Sequence, residues 1–157
     1  MNSNKLVNKS METDVATKYD IDFYGWTQDQ AALLKCGQLD KLDIANLIEE
    51  VEDMGKSQAR QLHNRLEVLL MHLLKWQYQP GLQGNSWRNS IDEQRVRIAK
   101  HIEKNPSLKG KREEILEDAY EDARYSARRE TGLSLETFPK GCQWTYEQIM
   151  DAEFLPE

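Results

Sequence analysis

Apolar residues recur at helical spacing along most of the chain, and nowhere do they alternate with polar ones over a useful length. From Ile44 the series runs Ile44, Leu47, Ile48, Val51 and Met54, then resumes at Ala59, Leu62, Leu66, Leu69, Leu70 and Leu73. Steps of three and four residues place such positions on one side of an α-helix. Asp40 or Asp43 is positioned to cap this helix, and Pro80 with Gly81 ends it. An unbroken helix over 43–78 would rise about 1.5 Å per residue, on the order of 50 Å in all. That length makes Gly55 the natural place for a bend, with Ser57 able to cap a restarted helix, and the pattern leaves break and continuation open. Between Val68 and Trp76 only His72 and Lys75 interrupt the apolar side chains. Such a segment has no flank suited to water, so it is expected at the centre, covered by other helices.

The remaining elements follow from similar signals. Thr27 with Gln30 has the spacing of a capping box, and Gly37 stops the short helix after it. Beyond the LQGNSW loop, Ser86 or Ser90 caps a helix with Ile91, Ile98 and Ile102 on its inner face and Ala99 beside them. Asn105 and Pro106 read as a cap followed by proline at the first helical position. The next stripe is Leu108, Ile115, Leu116, Ala119, Tyr120, Ala123 and Ala127, with Gly132 placed for a left-handed end. Alanine at every fourth position, 119, 123 and 127, lets another helix approach closely. Thr145 with Gln148 forms a second capping box, Trp144 with Ile149 a hydrophobic staple, and together they predict a short helix from Tyr146 to about Asp151. Residues 1–18 are polar and aperiodic and read as a flexible tail, leaving 19–157 as the folded region. The expected class is all-α: a single-domain bundle of four to five helices with a short C-terminal helix.

Composition narrows the function classes. The chain has 157 residues, 31% of them charged, and a formal net charge of -6. An acidic total works against a broad nucleic-acid surface, which needs positive charge to displace counterions. No apolar run approaches the roughly 20 residues of a membrane span. The opening MNSNKLVNKS lacks the apolar core of a signal peptide, so a cytoplasmic location follows by elimination. Cys36 and Cys142 are too few for a disulfide framework and read as two reduced thiols.

The candidate chemistry centres on residues 49–72. Glu49, Glu50, Glu52 and Asp53 form a dense acidic patch that suits water, a cation or a basic partner. His63 and Glu67, four residues apart, share a helix face. Glu49, Glu52, His63 and Glu67 are therefore the candidate metal ligands. Neither Glu-x-x-His nor HExxH is present, so di-iron and zinc-protease signatures are absent. Phosphate-loop, dinucleotide and nucleophile-elbow motifs are also missing, and no cofactor is implied. His72 is expected in the core, bonded to a neighbouring helix, and His101 on the solvated surface. The mixed charges of residues 109–129 suit a helix laced with exposed ion pairs. The leading function is a non-enzymatic helical interaction module whose partner is a second copy of the chain or another protein. The alternative is a metal-dependent or acid–base enzyme built on the Glu and His side chains of 49–72.

A resemblance covers nearly everything after residue 18. YDIDFYGWTQDQAALLKCG (19–37), LIEEVEDMG (47–55), RLEVLLMHLLKWQYQP (65–80), NPSL (105–108), ETGL (130–133) and FPKGCQWTYEQIMDAEFLP (138–156) carry it, with Ser86–Trp87 and Gln94–Arg95 between them. In this order they resemble the DUF29 family, small proteins frequent in cyanobacteria and other bacteria. The resemblance implies an all-helical fold. It implies no activity and carries over no catalytic or ligand residue. It leaves open whether Glu49, Glu50, Glu52, Asp53, His72 and Trp144 serve function or fold.

Overall fold

Asp43 opens the longest element of the protein. Its carboxylate accepts the backbone N–H of Asn46 at 3.4 Å and its carbonyl accepts that of Leu47 at 3.0 Å, which satisfies donors that the first helical turn leaves free. From there α3 (Ile44–Tyr78) runs 35 residues without a break. A Cβ placed on Gly55 would meet nothing within 4 Å, so no turn or close approach demands glycine there. One glycine costs a helix only about 1 kcal/mol, and the buried half of α3 outweighs that. Ser57 lies inside the helix and caps nothing.

The computed structural model describes residues 17–157, so most of the expected N-terminal tail lies outside the described residues. Before α3 come α1 (Lys18–Ile21) and α2 (Phe23–Lys35), joined to it through a 3-10 turn at Leu39–Lys41. After it come α4 (Asn85–Lys104), α5 (Arg112–Thr131) and α6 (Tyr146–Met150). The described residues are all-α and hold no strand, as the spacing predicts. Among the described residues four of the six helices are long, and α6 is the short terminal helix expected from Thr145. The chain divides into two compact units, Met1–Val51 and Glu52–Glu157.

The first unit is built on α1, α2 and the start of α3. Asp22, not Thr27, caps α2, accepting the N–H of Gly25 at 2.9 Å. Thr27 sits inside the helix with its hydroxyl donating to the Tyr24 carbonyl at 2.7 Å. Its expected partner Gln30 is buried and accepts the Asp43 N–H at 2.8 Å. Trp26 is buried too, and its Nε1–H donates to Asp43 at 3.0 Å. Asp43 thus ties a helix start to the one indole this unit buries; the Asn46 side-chain amide, donating at 2.8 Å, and the Trp26 indole hold its carboxyl below the usual range. Gly37 takes a φ of +68°, the left-handed end predicted for α2.

The second unit holds the core. Leu62, Leu66, Leu69, Leu70, Leu73 and Leu74 of α3 are buried, as are Ile91, Ile98 and Ile102 of α4 and Leu116, Tyr120 and the three alanines of α5. Phe138 and Ile149 complete it. Ala119, Ala123 and Ala127 are fully inaccessible, the outcome expected of a small-residue face. Gly132 ends α5 at φ +72°. The Thr145–Gln148 capping box opens α6, with bonds of 2.9 and 3.2 Å.

Several polar expectations are corrected. Gly84, not Ser86 or Ser90, precedes α4, and the Ser90 hydroxyl bonds back to the Ser86 carbonyl. Ala99 is exposed, and Arg95 takes the inner position instead. Its guanidinium donates to the carbonyls of Ile149 at 2.8 Å and Phe154 at 2.7 Å, fastening the C-terminal segment to α4. Arg124, expected on a solvated face, is buried and donates to the Phe138 carbonyl at 3.2 Å. His101 is buried rather than solvated, and bonds the Gln58 carbonyl at 2.8 Å. His72 is half-buried and donates from Nδ1 to Val68 of its own helix at 2.8 Å, not to a neighbouring one. Pro106 begins a 3-10 stretch to Lys111 before α5 starts at Arg112.

Candidate functional site

One polar cluster in the second unit gathers donors from two helices. His63 and Glu67 stand one turn apart on α3, and Asp122 projects from α5. Ligand atoms of the three lie within 4.8 Å of one another. His63 Nε2–H donates to Asp122 Oδ2 at 2.7 Å. The Ser126 hydroxyl, one turn beyond Asp122, donates to Glu67 Oε1 at 2.7 Å. Arg129 in turn donates to the Ser126 oxygen at 3.2 Å. Helical spacing explains the order: 63 and 67 on one rod face 122, 126 and 129 on the other. The imidazole is three-quarters covered, while Asp122 remains more than half in water.

Only part of the sequence-derived set takes part. His63 and Glu67 belong to the cluster. Glu52 lies eleven residues earlier on the same helix, an axial rise of about 16 Å, beyond reach of a shared ion. Glu49 lies in the first unit, exposed to water. Glu50 is half-buried and accepts the Tyr19 hydroxyl at 2.6 Å. Sequence reasoning missed Asp122 and Ser126. Their spacing on α5 was visible, but which face of α5 meets α3 is decided by the packing of its alanines.

Two large clefts lie among those of the second unit. The larger, about 890 Å³, runs along α3 and α4, where Arg65, Arg97, Lys100 and Lys104 outnumber Glu103. The Nε of Arg65 is buried without a hydrogen-bond partner. The other, about 750 Å³, is lined by residues including Tyr120, Cys142, Trp144 and Tyr146, with no histidine among its described lining residues. Burial pushes the Cys142 thiol up from its ordinary value, and it donates to the Trp144 carbonyl at 3.3 Å. A thiol held protonated, with no histidine lining its cleft, is a poor nucleophile. Cys36 and Cys142 are both free thiols.

The first unit presents a different kind of surface. Ile44, Ile48 and Val51 line one face of α3 at steps of four and three, and each is more than half exposed. Ile21, Tyr24, Leu34 and Leu39 stand in water as well. The stripe that reads as an inner face in the sequence is therefore an outer one at this end of α3. α1 and α2 leave this face of α3 uncovered.

Among the described residues no helix is long and apolar enough to cross a membrane. No curated protein and no solved structure matches the chain. The resemblance read from its segments is borne out at the level of the family: the model described as "Domain of unknown function DUF29" matches residues 18–155, and the chain belongs to that family.

Proposed function

We propose that the protein is a non-enzymatic helical interaction module that docks a partner on its first unit. The observation that carries this reading is the exposed Ile44–Ile48–Val51 face of α3. Scattered apolar residues on a surface are ordinary, but a helix face with three of them in register is the form that a partner helix recognises. The chemistry of the partner follows from charge. Residues 17–51 carry seven carboxylates and three lysines. A second copy would bring like charge against like, whereas a basic amphipathic helix would pair apolar with apolar and place its cations among the carboxylates.

The test uses the full chain and a Leu/Lys helical peptide, with a scrambled peptide of identical composition as the control. Calorimetry should detect binding of the amphipathic peptide only, and Ile48→Glu with Val51→Glu should remove it. Equal binding of both peptides would mean that charge alone attracts them and would overturn the reading, as would a double variant that binds like the parent. Light scattering should find the free chain monomeric. A dimer that the same double variant dissociates would assign this face to a second copy instead.

A further inference from the structure

The geometry points to a binding site for one divalent transition-metal ion on His63, Glu67 and Asp122 in the second unit. Three observations support it, and none depends on the docking face. The donor atoms already converge within 4.8 Å, from two helices. The set is one imidazole and two carboxylates, which selects a first-row ion such as Zn(II) over Ca(II) or Mg(II), whose sites are built from oxygen alone. Glu67 is also held from behind. Ser126 donates to its Oε1, and Arg129 donates to the Ser126 oxygen, so a two-residue support holds the carboxylate in place.

Ion entry needs only a local change. His63 Nε2 and Asp122 Oδ2 are 2.7 Å apart and share a proton. Two ligands about 2.1 Å from a tetrahedral ion sit roughly 3.4 Å from each other, so the pair must open by under 1 Å while any wider separation within the 4.8 Å set closes toward the same value. The imidazole proton then resides on Nδ1, the Nε2 lone pair faces the ion, and no other bond has to break. Three protein ligands leave a fourth position, which the exposed flank of Asp122 opens to water. The ion would clip α3 to α5 at the outer edge of the core.

The experiment is a Zn(II) titration of the untagged full chain after chelator treatment, followed by calorimetry, with Co(II) absorption as a second readout. One ion per chain is expected, together with a Zn(II)-dependent rise in melting temperature. His63→Ala and Asp122→Asn should each weaken binding by more than about tenfold, and Ser126→Ala by about tenfold through the loosened Glu67. Asp122 is exposed, so Asp122→Asn keeps the test valid if His63→Ala fails to fold. A Cys36→Ser, Cys142→Ser chain should bind as the parent does. Absence of stoichiometric binding would overturn the assignment. So would binding that survives Asp122→Asn or is lost with the cysteines.

Discussion

Among residues 17–51 one apolar side chain, that of Trp26, is buried and eight large ones are exposed, whereas among residues 52–157 seventeen are buried and four large ones are exposed. The two units are therefore held by different physics. The second is stabilised by burial, with leucines of α3 against isoleucines of α4 and alanines of α5. The first relies on directed contacts. Asp43 receives Trp26 and Asn46, Gln30 receives Asp43, Tyr19 reaches Glu50, and Tyr19 packs edge-on against Phe23 and Trp26. A unit held by hydrogen bonds and ring contacts can leave its apolar faces outside. That freedom separates the proposed docking surface from a core that cannot spare its apolar residues.

The contrast is sharpest where a leucine is removed. Leu69→Ala or Leu73→Ala should destabilise the second unit by about 2–5 kcal/mol, measured by urea unfolding, because both are fully buried. A loss below about 1 kcal/mol would mean that the core is not close-packed. Arg95→Ala comes next. It strips a buried cation from the carbonyls of Ile149 and Phe154 and should cost about 3 kcal/mol, with raised amide exchange in residues 149–155.

Acid should separate the units. Bonds from Asn46 and Trp26 hold the folded Asp43 carboxyl below its ordinary value of 3.8, and Thr17 does the same for Asp20. A depressed value means that the stabilisation is complete above 3.8 and is lost as pH falls through the lower folded value. Glu113 and Glu136 are lowered in the second unit as well, but both stand in water and neither touches the leucine core. Exchange protection near Trp26 should therefore fade at higher pH than protection of Leu66–Leu74. Simultaneous loss would show one cooperative body.

Two smaller effects probe α3 itself. Gly55→Ala meets open space and should stabilise by about 0.5–1 kcal/mol in thermal melts, whereas a loss would reveal a bend that needs glycine. Ile48→Ser should move stability by less than about 0.5 kcal/mol, the range for exposed positions, and a larger loss would mean that this face is covered.

Much of this architecture is legible in the sequence, because helix spacing, Gly37, Gly132 and the Thr145–Gln148 box are local signals. The unbroken passage through Gly55 is not, since a weak local penalty is settled by packing some turns away. Nor is the inversion at Ile44–Val51. Periodicity reveals that an apolar face exists but not whether enough chain lies nearby to cover it. The site was half legible for a similar reason. His63 and Glu67 share one helix, so their proximity follows from spacing. Asp122 and Ser126 reach them only because Ala119, Ala123 and Ala127 set which side of α5 turns inward. Buried Arg95, Arg124 and His101 escaped because polar side chains are assigned to water until a backbone carbonyl is found within reach.

The most direct measurement is a residue-resolved NMR titration of the full chain with the amphipathic Leu/Lys peptide. The account predicts that shift changes concentrate at Ile44, Ile48 and Val51 while Leu66–Leu74 stay unperturbed. Changes centred on the second unit, or none at saturating peptide, would contradict it.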